Sequence, residues 1–368
     1  MEKELDHFSI KQTNIAKGIA LLLLLWHHLF YNNPNNYNDF KSLYVFNGKP
    51  IECILADFCK VCVAMFLILS GYGLYKIYTS YIEKQMNQKG VNRLKNSVIY
   101  TKNRLIKLIS DYWFIYIIFV PLGLIFGRSF IDIYANNPVH YISDIFGISL
   151  LINGSLDYTM NETWWYMSIC IVYYILFPFI YRLMNKYAEV VLVFSLILIF
   201  LPFDYVGLTT WLFPFVIGMY FAKYNLFEKL VKTLNNDVNK LLFSAFSILF
   251  CAYYRKFLIK ETIGPTAFDG FFGLSIILFT YFVISEFPII NRILEELGKY
   301  SGMIFMFHTF IFAYYFKKFI YGFKYSLLIY LVLTVICYVI ARLIVYIQHL
   351  IKYDNLFFSL VKVNNEKD

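Results

Sequence analysis

The amino-acid sequence predicts an all-α, polytopic integral membrane protein with about ten transmembrane helices, and three observations carry that expectation. Hydrophobic residues make up 60% of the 368 and charged residues only 15%, more apolar side chain than one soluble core can bury. Apolar runs recur along the whole chain, several of them close to the roughly 20 residues that cross a hydrocarbon layer. Lysine and arginine gather in some connections and avoid others, as the positive-inside rule requires of a multispan protein.

In chain order the predicted spans are 14–31, 53–78, 105–127, 164–183, 189–206, 209–223, 241–259, 271–287, 299–321 and 326–349. The first is the run KGIALLLLLWHHLF, and no small-residue cleavage site follows it, so it is expected to stay in the mature protein. The second ends in FLILSGYGLYK, the third opens on RLIK, the fourth on ETWWYMS, and the ninth carries MIFMFHTFIF. The sixth, 209–223, is the shortest.

The formal charge of +9 would suggest nucleic acid in a soluble protein. Its distribution has a simpler cause. Lys84, Lys89, Arg93, Lys95, Lys102 and Arg104 crowd the connection between the second and third spans, whereas Arg128 is the sole Lys or Arg of 128–163. With the N-terminus inside, Lys223, Lys229, Lys232, Lys240, Arg292, Lys299, Lys352, Lys362 and Lys367 also fall on the cytoplasmic side; Arg255, Lys256, Lys317 and Lys318 run against the rule. The expectation is a single membrane domain over 1–368 with its core at 10–345, a basic cytoplasmic loop at 79–103 and a cytoplasmic tail at 350–368. Both termini are then cytoplasmic, and the stretches 32–52 and 128–163 face outward. A composition rich in Phe, Tyr, Ile, Asn and Lys points to a bacterial plasma membrane, with the lipid bilayer as a partner and nucleic acid excluded.

An ionisable side chain inside a span costs a few kcal/mol, so its presence points to a task. Lys17 and His28 lie eleven residues apart in the first span. Three turns plus about 20° put them on one helix face, separated by roughly 16 Å along the axis. His27 points elsewhere. In the second span Ser70 and Gly71, with Gly73, allow either close helix approach or an irregular backbone beside a ligand. Arg104 and Lys107 share a face at the expected start of the third span, where two cations hold either lipid headgroups or the phosphates of a nucleotide-containing donor. Trp164 and Trp165 beside Glu162 read as an interfacial belt or as a sugar-stacking pair. His308 is a second histidine well within a span, with interhelical hydrogen bonding as the alternative to chemistry. Cys59 and Cys62 form CKVC in an apolar run with no strand before it, which reads as small packing residues, and no spacing suited to a metal appears.

The ordered set KGIALLLLLWHHLF, FLILSGYGL, RLIKLISDYW, ETWWYMS and MFHTFIF resembles the integral-membrane acyltransferase 3 family over about residues 10–345. The resemblance implies transfer of an acyl group, most often acetyl, from coenzyme A to a hydroxyl of an envelope glycan, exopolysaccharide or secreted small molecule. No permanently bound cofactor is implied; acetyl-CoA is a substrate. Carried over residue by residue, the pattern of a basic residue, ten others and a histidine falls on Lys17 and His28, and the paired basic motif falls on Arg104 and Lys107. Lysine stands at 17 and 107 where the family more often has arginine, keeping the charge and losing the bidentate fork, and Ser110 stands where proline is common. The roles implied are His28 as general base, Lys17, Arg104 and Lys107 as donor contacts, Ser70 and Gly71 along the acyl path, and Glu162, Trp164, Trp165 and His308 on the acceptor side. The readings from other classes are a transporter of polysaccharide or lipid-linked glycan without transferase chemistry, and a membrane sensor or scaffold.

Overall fold

The computed structural model describes residues 8–31, 39–86, 93–201, 205–257, 268–353 and 355–357, and these are overwhelmingly helical. Among them, six helices are long and apolar enough to cross a membrane, and Leu212–Tyr224 and Ser301–Tyr315 are shorter apolar helices. The chain comprises two compact units. Unit 1 is Met1–Thr79, Tyr181–Gly302 and Phe323–Thr334; unit 2 is Ser80–Ile180, Met303–Gly322 and Val335–Asp368.

In unit 1, α1 (Ile10–Phe30) starts at a capping box in which Ser9 and Gln12 satisfy each other's backbone N–H groups. It runs unbroken through both histidines and stops at Tyr31, whose N–H donates to the His27 carbonyl at 2.8 Å. A two-stranded hairpin, β1 (Val45–Phe46) and β2 (Lys49–Pro50), follows. Asn47 and Gly48 both take positive φ, 47° and 76°, the mirror-image turn that matches strand twist. The turn leads into α2 (Ile51–Cys59) and α3 (Cys62–Met86). Glu52, fully buried, ties the hairpin to the helices: its carboxylate accepts from Ser42 Oγ at 2.6 Å, Leu43 N at 2.7 Å and Ser326 Oγ at 2.7 Å. Its carbonyl accepts from Trp26 Nε1 of α1 at 3.2 Å.

The next helices of unit 1 are α9 (Leu212–Tyr224), α10 (Leu226–Thr233), α11 (Asp237–Phe257), α12 (Asp269–Phe282) and α13 (Pro288–Lys299), and two of them, α9 and α13, pack against α3 and α1 through glycine. Gly18 of α1 rests against the Leu294 carbonyl of α13, and Gly298 against the Asn14 carbonyl, so a Cβ at either position collides with backbone. Gly71 of α3 and Gly218 of α9 make the same exchange with the Phe215 and Ile68 carbonyls. Where lipid is as apolar as the side chains, such close approach supplies the van der Waals contact that holds helices together. At the other end of α1, Phe8 stacks on Phe227 of α10 with centroids 4.1 Å apart, and its N–H donates to Glu228 at 3.2 Å.

Unit 2 is built around α4 (Arg93–Ile125), the first part of α8 (Trp165–Leu198), α14 (Ser301–Thr309) and the later part of α16 (Ser326–Leu350). A π-helical segment, Phe310–Tyr315, follows α14 and precedes α15 (Lys317–Tyr321). Between α4 and α8 lie three short helices, α5 (Phe130–Tyr134), α6 (Pro138–Ile145) and α7 (Ser149–Asn153), and a 3-10 turn at Glu162–Trp164.

Spans 164–183 and 189–206 both lie in α8, two helical stretches that meet at a kink at Tyr187, whose φ of −139° and ψ of 52° are not helical. Three expectations change. The helix that carries the third span does not start at Arg104: α4 begins at Arg93, so it runs eleven residues into what reads as a loop, and α3 reaches Met86 from the other side. The polar stretch 79–103 is therefore mostly helical because helix formation tolerates charge on an exposed face; its residues 87–92 lie outside the described residues. Span 299–321 is interrupted by the π segment. The stretch 128–163 is folded into short helices, held by a buried carboxylate described below. Of the stretch 32–52, residues 32–38 lie outside the described residues.

Candidate active site

In unit 1 the regular α1 helix places Lys17 and His28 on one face, as the spacing predicts, and both are half-buried. His27, one residue earlier, is only 8% exposed. Its Nδ1 lies 2.7 Å from the Ala56 carbonyl, and since a carbonyl can only accept, Nδ1 carries the proton. The His27 ring also packs against Tyr31, centroids 4.6 Å apart, and edge-on against His28 at 5.1 Å. Adjacent histidines thus differ in surroundings: one is clamped between helices, the other is half-buried. On α3, Ser70 is half-buried and Gly71 is buried against α9 at the crossing described above. Cys59 and Cys62 are buried thiols, and no disulfide joins them.

In unit 2, Arg104 and Lys107 project from the middle of α4. Arg104 is half-buried with its guanidinium 5.2 Å from the Tyr100 ring centroid, a cation–π contact that holds the planar group in place, while Lys107 is exposed. Ser110 returns its hydroxyl to the Lys107 carbonyl at 2.9 Å, and its own carbonyl accepts from Tyr353 OH at 3.0 Å. A proline could fill the position without the first of these bonds.

The four residues expected on the acceptor side all lie in unit 2, and Trp164 is tied to the helix that carries His308. Asn161 caps the 3-10 turn that carries Glu162 and Trp164, its Oδ1 accepting from Thr163 N at 3.0 Å. Asn161 Nδ2 and Trp164 Nε1 then both donate to the Met306 carbonyl, at 3.2 and 2.8 Å. That carbonyl sits two residues before His308, just ahead of the π segment, where the change of helix pitch loosens the regular hydrogen-bond ladder. Trp164 is 2% exposed, packed edge-on to Tyr112 and stacked on Tyr116, so its indole is a core side chain; Trp165 is half-buried and Glu162 exposed. His308 is fully buried, and its Nδ1 donates to the Phe305 and Ile304 carbonyls of its own helix at 2.9 and 3.2 Å.

Residues that the sequence did not single out complete this region. Asp144 of α6 is fully buried and accepts from Tyr134 OH at 2.7 Å, Thr159 Oγ1 at 2.6 Å and Met160 N at 3.0 Å. It fastens the short helices to the strand of chain that delivers Asn161. Burial pushes its carboxyl up to about 6, against the pull of those three donors. Arg128 lays its guanidinium 3.8 Å from the centroid of the Tyr314 ring. The signal for Arg128 was its isolation as the one basic side chain of 128–163. Tyr314 gave none, because a π segment shifts the helical register on which face assignments depend.

Comparison with protein families matches residues 10–346 to the acyltransferase 3 model, described as an acyltransferase domain. No curated protein and no solved structure matches the chain.

Proposed function

The chain belongs to the acyltransferase 3 family and is a membrane acyltransferase, and from that premise we propose that it transfers an acyl group, acetyl in the first instance, from acyl-CoA to a hydroxyl of a cell-envelope glycan or exopolysaccharide. The observation that carries the mechanism is the contrast on α1. His27 is buried and committed to Ala56, while His28, on the Lys17 face, is half-buried.

An acceptor hydroxyl is a weak nucleophile until its proton leaves, and a neutral imidazole is the group best matched to remove it near pH 7. His28 takes that proton as the hydroxyl oxygen attacks the thioester carbonyl carbon. The carbon–sulfur bond breaks, and the coenzyme A thiolate leaves with the proton that His28 returns. Lys17 contacts the donor, Arg104 and Lys107 hold its phosphates, and Ser70 and Gly71 border the acyl path. Glu162, Trp164, Trp165 and His308 serve the acceptor side, Trp164 by shaping the wall rather than by stacking. The protein acts in a bacterial plasma membrane with both termini cytoplasmic, so that only the acyl group crosses.

Mass spectrometry of the surface polymers of cells with and without the protein tests the reaction: loss of an acetyl increment identifies group and acceptor together, and unchanged polymers overturn the reading. Single cysteines placed in 39–49 should react with an impermeant reagent added outside intact cells, and ones in 93–100 should not. The opposite pattern inverts the orientation.

A further inference from the structure

Tyr314 is the meeting point of two charged residues that do not pair. Arg128 stacks on its ring at 3.8 Å, and the backbone N–H of Glu162 donates to its hydroxyl at 3.4 Å. Among the described residues no ion pair joins Arg128 to Glu162, so their charged ends are more than 4.0 Å apart. Each is held by other contacts. Arg128 Nη2 donates to the Met160 carbonyl at 3.1 Å, and its Nε is buried without a hydrogen-bond partner. Nη1 makes no hydrogen bond among the described residues and is not buried. Glu162 is fixed by the 3-10 turn that Asn161 caps, with its side chain exposed. Gly123 makes the approach possible: a Cβ there would meet Met160 Cε at 3.0 Å, Tyr315 OH at 3.3 Å and Arg128 Cβ at 3.5 Å.

A guanidinium stacked on an aromatic ring and tied to a carbonyl has lost its side-chain freedom before any ligand arrives, so its remaining donors bind at reduced entropic cost. A carboxylate nearby that is not spent on that guanidinium supplies acceptors. Donors on Arg128 and acceptors on Glu162, more than 4.0 Å apart on residues that both touch Tyr314, suit two adjacent hydroxyls of one ligand. The surrounding charge decides the sign of the ligand: Asp132, Asp157 and Glu162 are exposed along 128–163, against Arg128 alone. An anionic sugar meets net repulsion there, whereas a neutral one does not.

We infer that Arg128 and Glu162, both seated on Tyr314, form a subsite for a neutral sugar with adjacent hydroxyls, Arg128 donating to one and Glu162 accepting from the other. This deepens the acyltransferase reading and rests on it for the sugar's role as acceptor; the binding itself does not depend on catalysis.

The test is saturation-transfer NMR on the full chain in detergent with no acyl-CoA present, using methyl α-glucoside, methyl α-mannoside and the methyl glycoside of glucuronic acid as probes. A neutral glycoside should bind, and the glucuronide should bind more weakly. Arg128→Gln and Glu162→Gln should each weaken binding of the neutral probe by about tenfold, the loss expected of one hydrogen bond to a charged group. Glu162 is exposed, so its variant tests the subsite without a burden on folding. Failure of the wild-type protein to bind any neutral probe overturns the proposal, as do tighter binding of the glucuronide or wild-type binding by Glu162→Gln. A protein that acylates a non-sugar alcohol while binding no glycoside overturns the subsite alone; one that binds glycosides and transfers no acyl group overturns the acyltransferase reading alone.

Discussion

Two helices of this protein carry a histidine deep in an apolar run, and they handle it in opposite ways. On α1 the backbone is a regular helix across the whole run, and the neighbouring His27 takes the buried, bonded position at Ala56 while His28 stays half-buried. On α14 the single His308 is itself the fully buried one, bonded to the Phe305 and Ile304 carbonyls behind it, and the helix changes to π pitch at Phe310. A histidine in a membrane span is therefore not one kind of object. What separates the two is burial: the imidazole of His308 is fully enclosed, whereas that of His28 is half-buried.

The strongest way to break this contrast is chemical. His28→Ala should lower product formation by about 10²- to 10⁴-fold, the usual contribution of a positioned general base, with membrane insertion and protein level intact. His27→Ala should retain turnover and lose thermal stability instead, because the Ala56 carbonyl is left without its donor. Acylation assays on membranes carrying each variant decide it, and near-normal turnover in His28→Ala removes the general-base assignment.

A second test asks whether α1 is held by its glycine crossing with α13. Gly298→Val pushes a side chain into the Asn14 carbonyl and should cost about 1–3 kcal/mol. Gly302→Ala meets nothing within 4 Å and should be neutral or slightly stabilising, since alanine is the better helix former. Melting in detergent should move in these different directions; equal losses would remove the close-packing account.

Acidity sharpens the comparison from the side of unit 2. The folded chain holds Asp144 at about 6 against an ordinary value of 3.8, so it binds a proton more readily than the unfolded chain between those values. The stability this group contributes is fully present below the lower value and falls as pH rises through the upper one. Asp144→Asn should flatten the dependence of melting temperature on pH across that window. An unchanged slope in the variant would assign the dependence to other groups.

Smaller effects belong to the donor cations and to His308. Arg104→Ala should weaken acyl-CoA affinity about tenfold at low salt and less at high salt, since a half-exposed charge is screened. Affinity unchanged by the substitution would return Arg104 and Lys107 to anchoring in lipid headgroups. His308→Asn should weaken acceptor binding slightly and leave the chemical step intact, because the asparagine amide can donate to the same carbonyls as Nδ1. Loss of product in that variant would give His308 a chemical role and erase the contrast between the two helices.

The sequence by itself determined the membrane class, the family and the shared face of Lys17 and His28. The membrane class follows from apolar length, the shared face from local periodicity and the family from the resemblance of its ordered motifs, and none of the three needs a contact from elsewhere in the chain. The Asn47-Gly48 pair is an equally local signal, of a hairpin turn. Only the tertiary structure decided the rest. That His27 and not His28 is clamped depends on Ala56 in α2. That Trp164 is core depends on Tyr112 and Tyr116 of α4 and on the carbonyl of Met306, more than a hundred residues further on. That Arg104 lies within a helix depends on a charged stretch keeping helical pitch on an exposed face, and that Arg128 meets Glu162 over Tyr314 depends on a π segment with no sequence period of its own. Periodicity places a side chain on a face of its own helix; which neighbour covers that face, and so whether an imidazole or an indole is accessible, is settled by contacts between segments far apart in the chain.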